Sequence, residues 1–297
     1  MRWQDMRRSE NVEDRRGSGR AGGGFGGGMR VGLGGLIVAL IASVLFGVNP
    51  IDMLGGGPAP VPQSAPGYGP QGVPGGGAAK AGRPDTAKAM MEGVLGDTED
   101  VWKALFDSMG IGRYPAPTLT LFSGAVSSAC GTASAAVGPF YCPADRKLYL
   151  DTGFFDDLAS KFGAPGDFAT AYVVAHEVGH HVQNVTGLME QFDRQAQRLS
   201  ARQRNEMQVR LELQADCYAG VWGFFAQKRG KLEPGDLEEG MRAAAAVGDD
   251  MIMKRTQGYV VPDAFTHGSA EQRVRWFRKG LTTGDPRQCD TFAVAQP

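Results

Sequence analysis

The sequence carries almost no net charge: 31 Lys and Arg stand against 32 Asp and Glu, a formal −1. Nothing global in it therefore draws a nucleic acid or an acidic partner. Histidine and cysteine are scarce, at four of each, so every one can be accounted for singly. Large apolar residues are nearly missing from 49–84, which is built of Gly, Pro, Ala and Gln. Such a stretch has nothing to bury and reads as a flexible linker. No internal repeat is present, so no repeat architecture is indicated. What is abundant is glycine, 44 residues concentrated with proline in the first third, which places the globular part behind them.

Residues 1–30 are rich in Arg and Gly, with Arg2, Arg7, Arg8, Arg15, Arg16, Arg20 and Arg30 outnumbering the acids. That composition predicts a disordered segment. An uncharged run, VGLGGLIVALIASVLFGV, occupies 31–48. As a helix it spans roughly 27 Å, about the thickness of a bilayer core. The run and its basic leader are long for a signal peptide, and no small-residue cleavage site follows. Its flanks offer nothing for a buried helix to pack on. The run reads as one transmembrane anchor. Basic residues precede it and are absent after it until Lys80, so the positive-inside rule predicts a cytoplasmic N-terminus. The expectation is a single-pass cell-membrane protein whose main domain lies outside the cytoplasm.

Globular character starts near Asp85 and runs to 297. Helical spacing covers 86–106, and Thr118–Phe122 (TLTLF) reads as a strand. Phe140–Cys142 and Lys147–Leu150 flank the turn Pro143-Ala144-Asp145-Arg146, a hairpin signal. Beyond Asp151 helices are expected at 167–184, 203–229, 236–255 and 270–279, with a further one near 188–199. The 270–279 helix has Ser269 as N-cap, Gln272 three residues on, and Gly280 at its stop. The fold class expected is α+β, mostly helical, with a small hairpin or sheet, preceded by the transmembrane helix.

Three of the four histidines fall within YVVAHEVGHHVQN, residues 172–184. His176, Glu177 and His180 form H-E-x-x-H. On a helix, residues four apart differ by about 40° in azimuth, so both imidazoles leave one face and can grip one tetrahedral zinc. Glu177 lies on the flank of that face, where a carboxylate can take a proton from a metal-activated water. His181 points elsewhere and reads as a packing or surface residue. Catalytic zinc usually has three protein ligands and an open position. The helix 203–229 offers Glu212 and Asp216, again four apart. Glu212 suits the third ligand, and Asp216, bordering the apolar Cys-Tyr-Ala-Gly-Val-Trp, suits a support that accepts the other N–H of a ligating histidine. The reverse assignment, and a simple pairing of Asp216 with Arg210, remain open at this level. Cys217 is about 100° round the helix from Asp216, a poor place for a ligand.

HEVGHH, ELQADCYAG, FTHGSAEQRVRWFRKG and the upstream GPFYCPADRKLYLD together resemble the bacterial neutral zinc metallopeptidase family, membrane-anchored and zincin-like, over residues 85–297. The resemblance implies a zincin-like fold, one zinc per chain and a glutamate as third ligand, which supports Glu212. It also makes His267 a candidate to stabilise the oxyanion, against the plainer reading of a loop histidine before the last helix. Arg273 can bind substrate or pair with an acid such as Glu271. The function expected is hydrolysis of peptide bonds in a peptide or protein substrate with Glu177 as general base. The alternative is a non-catalytic, membrane-tethered binding module with a structural zinc. A structural site needs four closed ligands and no adjacent base, so the enzyme is favoured. Residues 148–150 of the hairpin are expected to offer an edge for an extended peptide.

Cys130, Cys142, Cys217 and Cys289 all follow the expected anchor, and an even number suggests disulfides. Sequence leaves three pairings open. Cys130–Cys142 with Cys217–Cys289 is favoured, the first closing a short loop that ends at the hairpin.

Overall fold

Residues 1–17 and 85–297 are described by the computed structural model. Helix α1 (Thr86–Met109) starts where the Asp85 carboxylate accepts the Lys88 N–H and stops at Gly110, in the left-handed conformation. Four strands form a mixed sheet in the order β1-β2-β6-β5: β1 (Val12–Asp14), β2 (Thr118–Phe122), β5 (Phe140–Cys142) and β6 (Lys147–Asp151). β1, β2 and β6 run parallel, and β5 pairs antiparallel with β6 through the expected hairpin. A separate ribbon, β3 (Ala125–Ser128) with β4 (Gly131–Ser134), is tied to β5 by the Cys130–Cys142 disulfide.

After α2 (Gly153–Ser160) come α3 (Asp167–Val185), α4 (Leu188–Ala196), α5 (Ala201–Lys228), α6 (Asp236–Ala246), α7 (Asp249–Gln257) and α8 (Ala270–Thr283). α3 is apolar over most of its surface, with Phe168, Ala171, Tyr172, Val174 and Val178 essentially inaccessible. It is therefore a central element packed on several sides, not a surface helix. α5 and α8 cross closely. A Cβ on Gly220 would lie 2.1 Å from the Phe277 carbonyl, and one on Gly280 would lie 2.0 Å from the Cys217 carbonyl. This crossing explains why the last helix does not stop at Gly280: that glycine is a packing contact, and the left-handed cap is Gly284. The Cys217–Cys289 disulfide fastens the chain end to the same crossing. The expected helix 236–255 is two helices, because at Gly248 the chain presses on Ala270, whose N would be 2.4 Å from a Cβ there.

The first seventeen residues correct the expectation of disorder. Met1 and Met6 are buried in the main core. The Met1 ammonium sits 2.7 Å from Asp167, 3.1 Å from Glu233 and 3.4 Å from Asp236. Gly93 and Gly96 of α1 make room for the segment: a Cβ on Gly96 would be 2.1 Å from the Arg7 carbonyl. Buried Glu99 accepts from Arg7 at 2.7 Å, Ser9 at 2.6 Å and Asn11 at 2.8 Å. The arginines are thus matched to specific carboxylates, which composition alone does not reveal.

This packing also corrects the membrane topology. The expected anchor at 31–48 and the linker at 49–84 lie outside the described residues. Among the described residues no helix is long and apolar enough to cross a membrane. More directly, residues 12–14 and 118–122 are neighbours in one sheet. A bilayer cannot separate them, so a cytoplasmic N-terminus with the main domain on the other side does not fit this structure. The single-pass assignment and the localisation built on it fall with that arrangement. A mostly helical α+β fold with a small sheet stands.

Candidate metal centre

One turn of α3 and one turn of α5 face each other and bring His176, His180 and Glu212 together, with one ligand atom from each within 4.8 Å of the others. The facing is close because α3 carries Gly179 there: a Cβ on it would be 3.0 Å from the Ala215 backbone. Larger residues at either position would push the helices apart.

The hydrogen bonds fix both tautomers. A carboxylate only accepts, so Asp216 Oδ1, 2.9 Å from His176 Nδ1, receives that ring's N–H. Gln183 Nε2 donates to the Leu211 carbonyl at 2.7 Å and to Gln214 Oε1 at 3.0 Å. Its Oε1 is therefore the acceptor for His180 Nδ1, at 2.9 Å. With Nδ1 so committed in both rings, each Nε2 is the atom left to meet a metal ion, as the lone pair of a neutral imidazole. Both point at one oxygen: Glu212 Oε2 lies 3.2 Å from His176 Nε2 and 3.5 Å from His180 Nε2. Such a convergence calls for a cation among the three groups: a metal ion, or in its absence a proton on His176, whose Nε2 then donates to Glu212 at 3.2 Å. The donor set of two imidazoles and one carboxylate suits zinc. The other Glu212 oxygen accepts from Gln208 at 3.0 Å.

Asp216 is fully buried and sits at the middle of a network. It accepts from Tyr172 Oη at 2.5 Å, from Arg273 Nε at 2.8 Å and from Arg273 Nη2 at 2.9 Å, besides His176. The partner of Asp216 is thus Arg273, not Arg210, which donates to the carbonyls of Thr291, Val294 and Ala295. Arg273 likewise pairs with Asp216 rather than Glu271. It is 4% exposed and donates further to the Val247 carbonyl at 3.1 Å.

Charges follow from these contacts. Burial opposes a charged His176, yet Asp216 and Glu212 outweigh it and push the imidazole pKa up to about 9. Burial also opposes charge on Glu212, but His180 and His176 hold its carboxyl well below the usual range. Glu177 differs: burial raises its pKa, and the nearby histidines only offset part of that. Among the described residues no donor hydrogen-bonds the Glu177 carboxylate, which lines a cleft of about 240 Å³ beside His176 and His180. A buried carboxylate so placed can act as a base.

His267 lines the same cleft from the loop before α8. Its Nδ1 lies 3.1 Å from Asp249 Oδ1, while Asp249 Oδ2 accepts the backbone N–H groups of Thr266, His267 and Gly268 at 2.7, 2.6 and 3.0 Å. Burial disfavours a charged His267, but Asp249 raises its pKa. His181 is buried and is a packing residue, between Tyr141 Oη at 3.0 Å and the Pro115 carbonyl at 2.5 Å. It couples α3 to β5.

The similarity to a known family reaches beyond residues 85–297. Residues 1–292 match the family described as "Putative neutral zinc metallopeptidase". The chain belongs to this family. Uncharacterized protein YpfJ of Escherichia coli (strain K12) is 44% identical, over 98% of this chain and 99% of its own length. Uncharacterized protein Mb2605 of Mycobacterium bovis is 43% identical, over 85% of this chain and 86% of its own length. No solved structure matches the chain. The family match begins at residue 1, so the N-terminal segment that completes the sheet is part of it.

Sequence reasoning missed Asp249, Tyr172 and Gln183 as members of this network. Tyr172 and Gln183 lie within the segment already singled out, four before His176 and three after His180. That spacing marks the same helix face.

Proposed function

We propose that this chain hydrolyses peptide bonds, using one zinc ion held by His176, His180 and Glu212, with Glu177 as general base. The observation that carries the reading is the convergence of three lone-pair donors whose outward N–H groups are committed to Asp216 and Gln183. When bound, zinc supplies Lewis acidity, polarising a carbonyl and bringing the pKa of a coordinated water towards about 7. Glu177 takes the proton of the water that attacks the peptide carbonyl and returns it to the leaving nitrogen. Its raised pKa suits both halves of that task. Asp216 holds His176 in the required tautomer, and Arg273 and Tyr172 hold Asp216. His267, oriented by Asp249, donates to the oxyanion as it develops.

The peptide is aligned by β5. β6 is not available for this, because it is paired on both sides, by β2 and by β5. β5 is one of the two edge strands among the described residues, and residues 138–141 and 143 line the cleft. An extended substrate adds to it as a further strand.

A closed structural site would need a fourth protein ligand. Among the described residues only three converge here, which favours the catalytic reading over a binding module. The deciding experiment is zinc content and casein cleavage by the full chain and by Glu177→Gln. One zinc in both, with cleavage lost only in the variant, is expected. Zinc bound but equal cleavage by both proteins would refute Glu177 as the base.

A further inference from the structure

We infer that the cleft selects internal segments of an extended chain bearing a large apolar side chain beside the cleaved bond, so that the enzyme is an endopeptidase for apolar stretches. This rests on the metallopeptidase reading above.

Two apolar surfaces flank the metal-binding group. Before the entry of α3, the rings of Phe154 and Phe162 stand 6.4 Å apart, and Val247 and Ile252 line the cleft with them. After the exit of α3, Phe192 of α4 and Leu211 of α5 share a packed cluster and face the same cleft. Aliphatic and aromatic surface left open only to a cleft gains by covering an apolar side chain.

The charges argue against recognition of a chain end. Holding a C-terminal carboxylate needs a cation with free donors. Among the described residues lining the cleft, Arg273 has its donors committed to Asp216, Tyr172 and Val247. His267 has Nδ1 committed to Asp249 and its other nitrogen assigned to the oxyanion, and His176 and His180 belong to the candidate metal group. Holding an N-terminal ammonium needs a carboxylate outside Glu177 and Glu212. Of the lining residues only Asp193 qualifies, and it is exposed on α4, where water and salt weaken it. β5, which pairs with β6 alone among the described strands, would instead bind main chain wherever it lies in a substrate.

The test uses the full zinc-loaded chain and decapeptides acetylated and amidated at their ends, with Leu, Phe, Gly, Asp or Lys at the two positions around the bond. Cleavage sites are read by mass spectrometry. Blocked peptides should be cut within a few-fold of free ones, and Leu or Phe should raise kcat/KM at least tenfold over Gly, Asp or Lys. Ile252→Lys should lower kcat/KM for the Leu peptide at least tenfold and favour Asp, with zinc content and melting temperature held. Cutting of free-ended peptides alone, abolished by Asp193→Asn, would overturn the inference in favour of an aminopeptidase. So would equal rates for all side chains. If no peptide is cut by the zinc-loaded chain, the metallopeptidase reading fails instead. Selectivity is then read from fluorescent-peptide binding to Glu177→Gln, where equal affinity for Leu and Asp peptides would overturn it.

Discussion

Replacing Asp216 by asparagine keeps the shape of the side chain and removes its charge. In the wild-type protein Asp216 is wholly inaccessible and takes hydrogen bonds from Tyr172, His176 and, twice, Arg273. An amide has one accepting oxygen, and its NH₂ can only donate. One side of the substituted amide must therefore present donors to donors. Arg273 meanwhile loses the carboxylate with which it forms its ion pair. Breaking a buried pair by removing one partner costs about 3–5 kcal/mol. At about 2–4 °C per kcal/mol for a domain of this size, the metal-free chain should melt about 6–20 °C lower. The lost support of His176 should separately weaken zinc binding by about 10–100-fold. Thermal and urea unfolding of the metal-free protein give the first quantity, and competition with a chromophoric chelator gives the second. Adding Arg273→Met removes the unpaired charge, and the double variant should recover more than half of the lost stability. A loss below about 1 kcal/mol in Asp216→Asn, or strict additivity in the double variant, would show that the network is not held together as argued.

Gly280→Ala should destabilise by about 1–3 kcal/mol in urea unfolding, since its Cβ would fall 2.0 Å from the Cys217 carbonyl and force α5 and α8 apart; a wild-type midpoint would contradict the close crossing. Glu99→Ala removes the shared acceptor of Arg7, Ser9 and Asn11, so trypsin should cut after Arg7 or Arg8 many times faster, and unchanged resistance would assign the hold to β1 alone. His267 gains a raised pKa from Asp249 against the opposing effect of burial. Its pair therefore contributes fully below the unfolded pKa of about 6.5 and is lost as pH rises through the higher folded value. The melting gap between wild type and His267→Gln should narrow above neutrality, and a gap constant from pH 6 to 9 would exclude the ion pair as its source.

The grouping of His176, His180 and Glu212 as a candidate metal site was legible because its rules are local. A helix puts residues four apart on one face, so His176 with His180 and Glu212 with Asp216 could be read as pairs before any fold was known. The hairpin and the Ser269–Gln272 capping box are local in the same way, and both occur as expected. What the sequence hid is set by distant contacts. Asp249 acts on amides 17 to 19 residues away, and it stands just after a break at Gly248 that an apolar period reads straight through. A hairpin says that β5 and β6 pair, but not which of them a third strand covers. That depends on β2, which reaches β6 in parallel from far earlier in the chain. The N-terminal segment is the sharpest case. Averaged over thirty residues it is polar and glycine-rich, and β1 is only three residues long. Its order comes from partners that composition cannot name: the amide of Leu119, the carboxylate of Glu99 and the carboxylate of Asp167. Asp167 is also the first residue of the helix that carries His176, Glu177 and His180. The segment that looked least structured thus starts on the first turn of the helix that holds the site, and a membrane topology read from an apolar run and the charges flanking it could not survive that contact.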